Sequence, residues 1–183
     1  MKHLIKLTLM IFAVNIFILA QHKDYSKETG YIDFGNLEEL ESGNRVVDVF
    51  LEGNLLRLVG KFAENEEPEL SEVISGLKLI KAKVLEVTRE NEKQLKARVL
   101  ETENLLKGKN WSMLVRIRDV DEIINVYIKS SSLDKIEGLT VTSINKDEAA
   151  FVNIVGDIDL ETIGRLSSKF DIPALDRLNG HKR

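Results

Sequence analysis

Residues 148–170, EAAFVNIVGDIDLETIGRLSSKF, change period partway along, and that change limits the folds open to the chain. From Phe151 to Val155 apolar and β-branched side chains run almost unbroken, the pattern of a central strand covered on at least one face. Gly156 loosens the backbone, Asp157 and Asp159 flank Ile158, and helical spacing takes over. Leu160, Ile163, Leu166 and Phe170 recur three, three and four residues apart, a stripe that can lie on a sheet. One of the two aspartates is expected to cap this helix.

The preceding chain supplies the partners of that strand. Residues 31–41, YIDFGNLEELE, can make one helical turn over Leu37 and Leu40, with Tyr31, Ile32 and Phe34 packing at the domain edge. In residues 46–52, Val47, Val49 and Leu51 alternate with Asp48 and Glu52, as in a half-buried strand. Leu55, Leu58, Val59 and Phe62 then follow helical spacing, and Pro68 opens a second short helix with Leu70, Val73, Ile74 and Leu77 inward. Residues 79–87 return to strand alternation. The longest helix follows to Gly108, with Leu95, Val99, Leu106 and Ala97 on its stripe. WSMLVRIRD and IINVYIKS read as a hairpin turned by residues 119–122, and residues 136–145 add another strand. The predicted fold class is α+β: a largely antiparallel sheet of about six strands with helices packed mainly on one face.

At 183 residues and 43% hydrophobic content the chain suits one domain, placed at residues 31–172 with a flexible tail over 173–183. Lys2, His3 and Lys6 precede an apolar run from Leu7 to Leu19, which reads as a secretory signal over residues 1–20. An uncleaved N-terminal membrane anchor is the alternative. Either reading places the domain outside the cytoplasm, periplasmic or extracellular, after a flexible leader over residues 21–30. A net charge of −4 disfavours nucleic acid or anionic lipid as the main partner, so no membrane contact is expected beyond the signal segment. The absence of cysteine excludes disulfides, thiol catalysis, thiolate metal sites and a lipidated N-terminal cysteine.

Motifs for catalysis are sparse. Asp157, Asp159 and Glu161 could bind a metal or share acid and base work, but helix capping explains the same spacing. His3, His22 and His181 fall in the signal, leader and tail, and neither a G-x-S-x-G turn nor a phosphate-binding G-x-x-x-x-G-K is present. No cofactor or metal is expected. If Val47, Ile80, Val115, Val126 and Val141 face the helices, the opposite face shows Lys81, Lys83, Arg116, Arg118, Tyr127 and Asn153 to solvent. These six form the candidate partner-binding surface, with Arg and Tyr the types favoured at interfaces. Phe151 and Val155 share that parity and would be exposed, which favours a partial cover by a partner or by the Tyr31 to Phe34 stretch.

The strings GNLLRLVGKF, PELSEVISGLKLIKAKV and IEGLTVTSINKDEAAFVNIVGDIDLETIGRL, in that order, resemble the bacterial domain of unknown function 4252 family. Its members close on a similar F-V-N-I-x-G-x-I-D segment, and the resemblance spans about residues 31–171. It implies an exported small protein with no assigned activity, encoded near alternative sigma factors and their membrane-bound antagonists. Many members are lipoproteins, and the absence of cysteine departs from that. The functional expectation is an exported, noncatalytic interaction or regulatory module of the cell envelope, with an envelope protein as partner. A carboxylate- or metal-dependent hydrolase at the Asp157/Asp159 turn and a small-ligand binding protein are the alternatives.

Overall fold

The computed structural model describes residues 23–66, 68–132 and 135–158. Six strands pair into one antiparallel sheet: β1 (Val46–Glu52), β2 (Leu77–Glu86), β3 (Ser112–Arg118), β4 (Glu122–Ser132), β5 (Lys135–Asn145) and β6 (Glu148–Ile158). They lie side by side in the order β1-β2-β6-β5-β4-β3. The last four strands form a meander, and its final strand, β6, pairs with β2 and so becomes central, as the apolar run in residues 151–155 requires. Three helices complete the described residues: α1 (Gly53–Glu66), α2 (Pro68–Ser75) and α3 (Glu92–Gly108). The architecture is α+β, and none of these helices is long and apolar enough to cross a membrane.

Period-two alternation places each strand, and the pairing register sorts the two parities onto opposite faces. On one face a row of small apolar residues, Val49, Ala82, Val152, Val141, Val126 and Val115, crosses all six strands. Leu51, Ile80, Ile154, Leu139 and Ile128 form the neighbouring row. On the other face one row runs Asp48, Lys83, Phe151, Thr142, Asn125 and Arg116, and the next Phe50, Lys81, Asn153, Thr140, Tyr127 and Met113.

The expected orientation of this sheet is reversed. The longest helix, α3, covers the polar-patterned face: Leu95, Val99 and Leu106 pack with Phe151, Tyr127, Ile144 and Leu85, and Ile32, Phe34, Leu37 and Leu40 complete the same cluster. Phe151 and Val155 are consequently buried, not exposed. The cover over Phe151 comes in part from the Tyr31 to Phe34 stretch, with the Phe34 and Phe151 ring centroids 5.6 Å apart. Polarity of the alternating residues misled here because aromatic and aliphatic neighbours in the same rows give the roof enough apolar contact. Each fully buried leucine on α3 contributes about 1.5–3 kcal/mol of transfer free energy.

One boundary also shifts. The chain enters the fold before Tyr31, because Tyr25 is buried with Leu79 and Val155 and Gly30 is buried against β5. Residues 23–40 thus act as a strap across the covered face, ending in a single 3₁₀ turn at Glu38–Leu40. On α3, Ala97 is exposed, while Thr102 and Glu103 take the buried side with the expected leucines and valine. The Asn91 amide joins strap to sheet: it accepts from the Thr88 N–H at 2.8 Å and donates to the carbonyls of Leu40 and Glu86, both at 2.9 Å. At the other end Asn110 adopts φ 58°, and the Trp111 N–H returns to the Leu106 carbonyl at 3.0 Å, turning the chain into β3. The predicted helix over residues 160–170, the signal segment and the tail lie outside the described residues.

Candidate interaction surface

The six residues expected to form a docking surface are divided by the roof. Asn153 is 0% exposed, Tyr127 1% and Lys83 8%, so these three are internal. The Asn153 side chain accepts from the Ile32 N–H at 3.0 Å and donates to the Gly30 carbonyl at 2.9 Å, with longer contacts to the Leu139 carbonyl and the Thr140 hydroxyl. It clips the strap to the centre of the sheet. Lys83 sits between Glu41 at 2.7 Å and Asp48 at 3.3 Å, joining the strap's end to the edge strand β1. These two carboxylates hold its ammonium above the ordinary lysine value although burial works in the opposite direction.

Arg116 is exposed but tied to a partner of its own. Its guanidinium pairs with Glu103 of α3, and it donates to the Tyr127 hydroxyl and the Asn125 carbonyl oxygen, each at 3.3 Å. Lys107 reaches the same Glu103 carboxylate at 2.5 Å. The Lys107 hydrogen bond, helped by Arg116, holds the Glu103 carboxyl below the ordinary glutamate value against the opposing effect of burial. Burial and the nearby Glu103 charge push the Tyr127 phenol up. This network fastens α3 to β3 and β4. Of the six residues Lys81, half-buried, and Arg116 and Arg118, both exposed, remain near solvent, and with Arg116 tied to Glu103 they do not make the surface that was expected.

Asp157 is exposed at the end of β6, with the Lys135 ammonium 3.0 Å away, while Asp159 and Glu161 lie outside the described residues. Among the described residues no group of three or more His, Cys, Asp or Glu side chains could hold a metal ion.

The surface that alternation did not single out is on α1. Leu55, Leu58, Val59 and Phe62 occupy one side of this helix at positions i, i+3, i+4 and i+7, and all four are exposed, Phe62 by 72%. The side turned to the protein is instead that of Leu56 and Gly60, with Gly60 facing Ile74 and Ser71 of α2. Two features of the sequence could have shown this. Leu56 and Gly60 are four apart, and a glycine on a helix face permits close approach of a neighbouring helix. Val47, on the strand leading into α1, is also exposed.

Beside α1 lies a groove of about 660 Å³ between α1, α2 and the strap. Tyr25, Leu56, Ile74 and Leu77 give it an apolar lining, Lys23, Arg57, Lys61 and Lys78 bring cations to it, and Glu64 brings a carboxylate. Lys78 and Lys23 share Glu28, at 2.7 and 3.3 Å. Burial, together with the charge and hydrogen bond of Glu52, raises the Tyr25 phenol. The arrangement can hold an amphiphilic anion by its chemistry.

No curated protein and no solved structure matches the chain. A family model matches residues 40–166, which takes in all six strands, the three helices and the segment just beyond Ile158. With more than half of its length matched, the chain belongs to the family described as a domain of unknown function (DUF4252).

Proposed function

We propose that the protein is an exported, noncatalytic interaction module of the cell envelope that docks a partner protein through the outward stripe of α1. The observation that carries this reading is the exposure of Leu55, Leu58, Val59 and Phe62 together on one helix side. A helix of a soluble domain ordinarily turns such a stripe to its own core, and apolar side chains grouped on a surface mark contact sites. Anchors at this spacing fit an apolar groove on a partner. Export is supported by the apolar run from Leu7 to Leu19 behind Lys2 and Lys6. The partner class suggested by the family resemblance is a membrane-bound component of a sigma-factor regulatory system.

Replacing Leu58 and Phe62 together by glutamate tests the surface. Because both side chains are already in water, the stability change is expected to stay within about 0.5 kcal/mol per site. Proximity labelling from the exported protein in its host should lose specific neighbours in the double variant. An unchanged set of neighbours from a folded double variant would remove α1 as the docking element.

A second reading, small-ligand binding, is favoured by the groove between α1, α2 and the strap. Its apolar lining, with Arg57 and Lys61 as the cations not shared with Glu28, suits a fatty acid or similar amphiphile. Titration with a fluorescent fatty acid should saturate, and Lys61→Glu should weaken it; a flat titration with the wild-type chain ends this reading. Hydrolysis at the Asp157 turn has less support, since Asp157 is exposed and paired with Lys135.

A further inference from the structure

The face of the sheet opposite α3 is apolar across its whole width, and none of the described helices lies along it. The row Val49, Ala82, Val152, Val141, Val126 and Val115 has Leu51, Ile80, Ile154, Leu139 and Ile128 on one side and Val47, Val84, Ala150, Ser143, Ile124 and Ile117 on the other. Five interstrand spacings of about 4.8 Å make this field about 24 Å wide, with its outer rows about 14 Å apart. That is the size of the largest apolar patch on an ordinary soluble monomer, and a patch of this size is often a contact site. Most of these side chains are half-buried, and Val47 is open to solvent.

We propose that residues 160–170 of this same chain dock on that face as an amphipathic helix. Three observations converge on this occupant. The last described residue, Ile158, is buried in the cluster of Val126, Ile136 and Leu139, with Ile154, Val141 and Val115 packed against it, so the chain leaves β6 at this face. Leu160, Ile163, Leu166 and Phe170 follow at helical spacing, while Glu161, Arg165 and Ser168 fall on the opposite side of that spacing and would meet water. The family match continues past Ile158 to residue 166, which places Leu160, Ile163 and Leu166 inside the matched region and the tail outside it. Eleven helical residues span about 16 Å, enough to cover about three strands of the field. The sheet would then be roofed on both faces, by α3 and the strap on one and by the C-terminal segment on the other. This inference stands apart from the α1 reading, because it involves none of the α1 residues.

The chain contains no cysteine, so one introduced thiol reports one position. With Ser168→Cys carrying a spin label on the full chain, methyl signals of Val141, Val152 and Ile154 should broaden more than those of Leu95, Val99 and Leu106 beneath α3. In a second arrangement, a Val152→Cys thiol should react with maleimide about tenfold faster once Ile163→Glu and Leu166→Glu are added, reflecting loss of the cover. Equal broadening on both sides of the sheet, or equal thiol rates, overturns the proposal. So does broadening that appears only between differently labelled chains in a mixed sample, which would identify a second copy as the occupant.

Discussion

Asn153 shows how much one side chain can decide. Its amide is fully buried and joins backbone groups of Gly30 and Ile32 to the middle of the sheet, a connection spanning most of the described chain. Asn153→Ala leaves the Ile32 N–H and the Gly30 carbonyl without this partner in a closed interior, and each such group costs about 1–3 kcal/mol. A loss of about 3 kcal/mol is expected in urea unfolding. Glu103 is the second such residue. Its carboxyl is held below the ordinary value of 4.5 when folded, so the unfolded chain takes up its proton first as pH falls. The stabilisation is therefore complete above about pH 5 and is lost as pH drops through the folded value. Denaturation curves at pH 6, 4 and 3 should show that fall, and Glu103→Gln should flatten part of it. In the sequence Asn153 looked like a member of a polar surface, because a side chain's partner 121 residues away leaves no local mark.

At the scale of elements, the strap and α3 make the difference between a bare sheet face and a core. Their fit depends on a close crossing: a Cβ added to Gly138 would lie 2.5 Å from the Gly30 Cα and 2.8 Å from the Trp111 ring. Gly138→Ala is thus expected to destabilise by about 2 kcal/mol through overpacking. The measurements are the unfolding midpoint and hydrogen exchange, which should quicken at the strap amides. If exchange there is unchanged and stability is retained, the crossing is looser than these distances describe. Element identity itself was legible. Pro68 at the first position of α2, the glycine-bounded end of α3 and the alternation in β3 and β4 are local signals, and each element formed where they point. The facing of α1 was not, since Leu55, Leu58, Val59 and Phe62 make as good an inward stripe as the outward one they form.

For the molecule as a whole, the meander and the central place of β6 follow from short connections and from the apolar run at residues 151–155. The sequence alone determined the class, the strands and their parities, because a pleated strand imposes a period of two on its own residues. Tertiary structure alone decided which parity α3 and the strap cover. Alternation separates two faces but carries no information about which one meets a helix arriving from elsewhere in the chain. Here the choice went to the face bearing Lys83, Asn125, Tyr127, Thr140 and Asn153, whose polar groups find partners among the strap, α3 and one another. Burying those groups is tolerable only with such partners in place, and it is the assembled fold that brings them within reach.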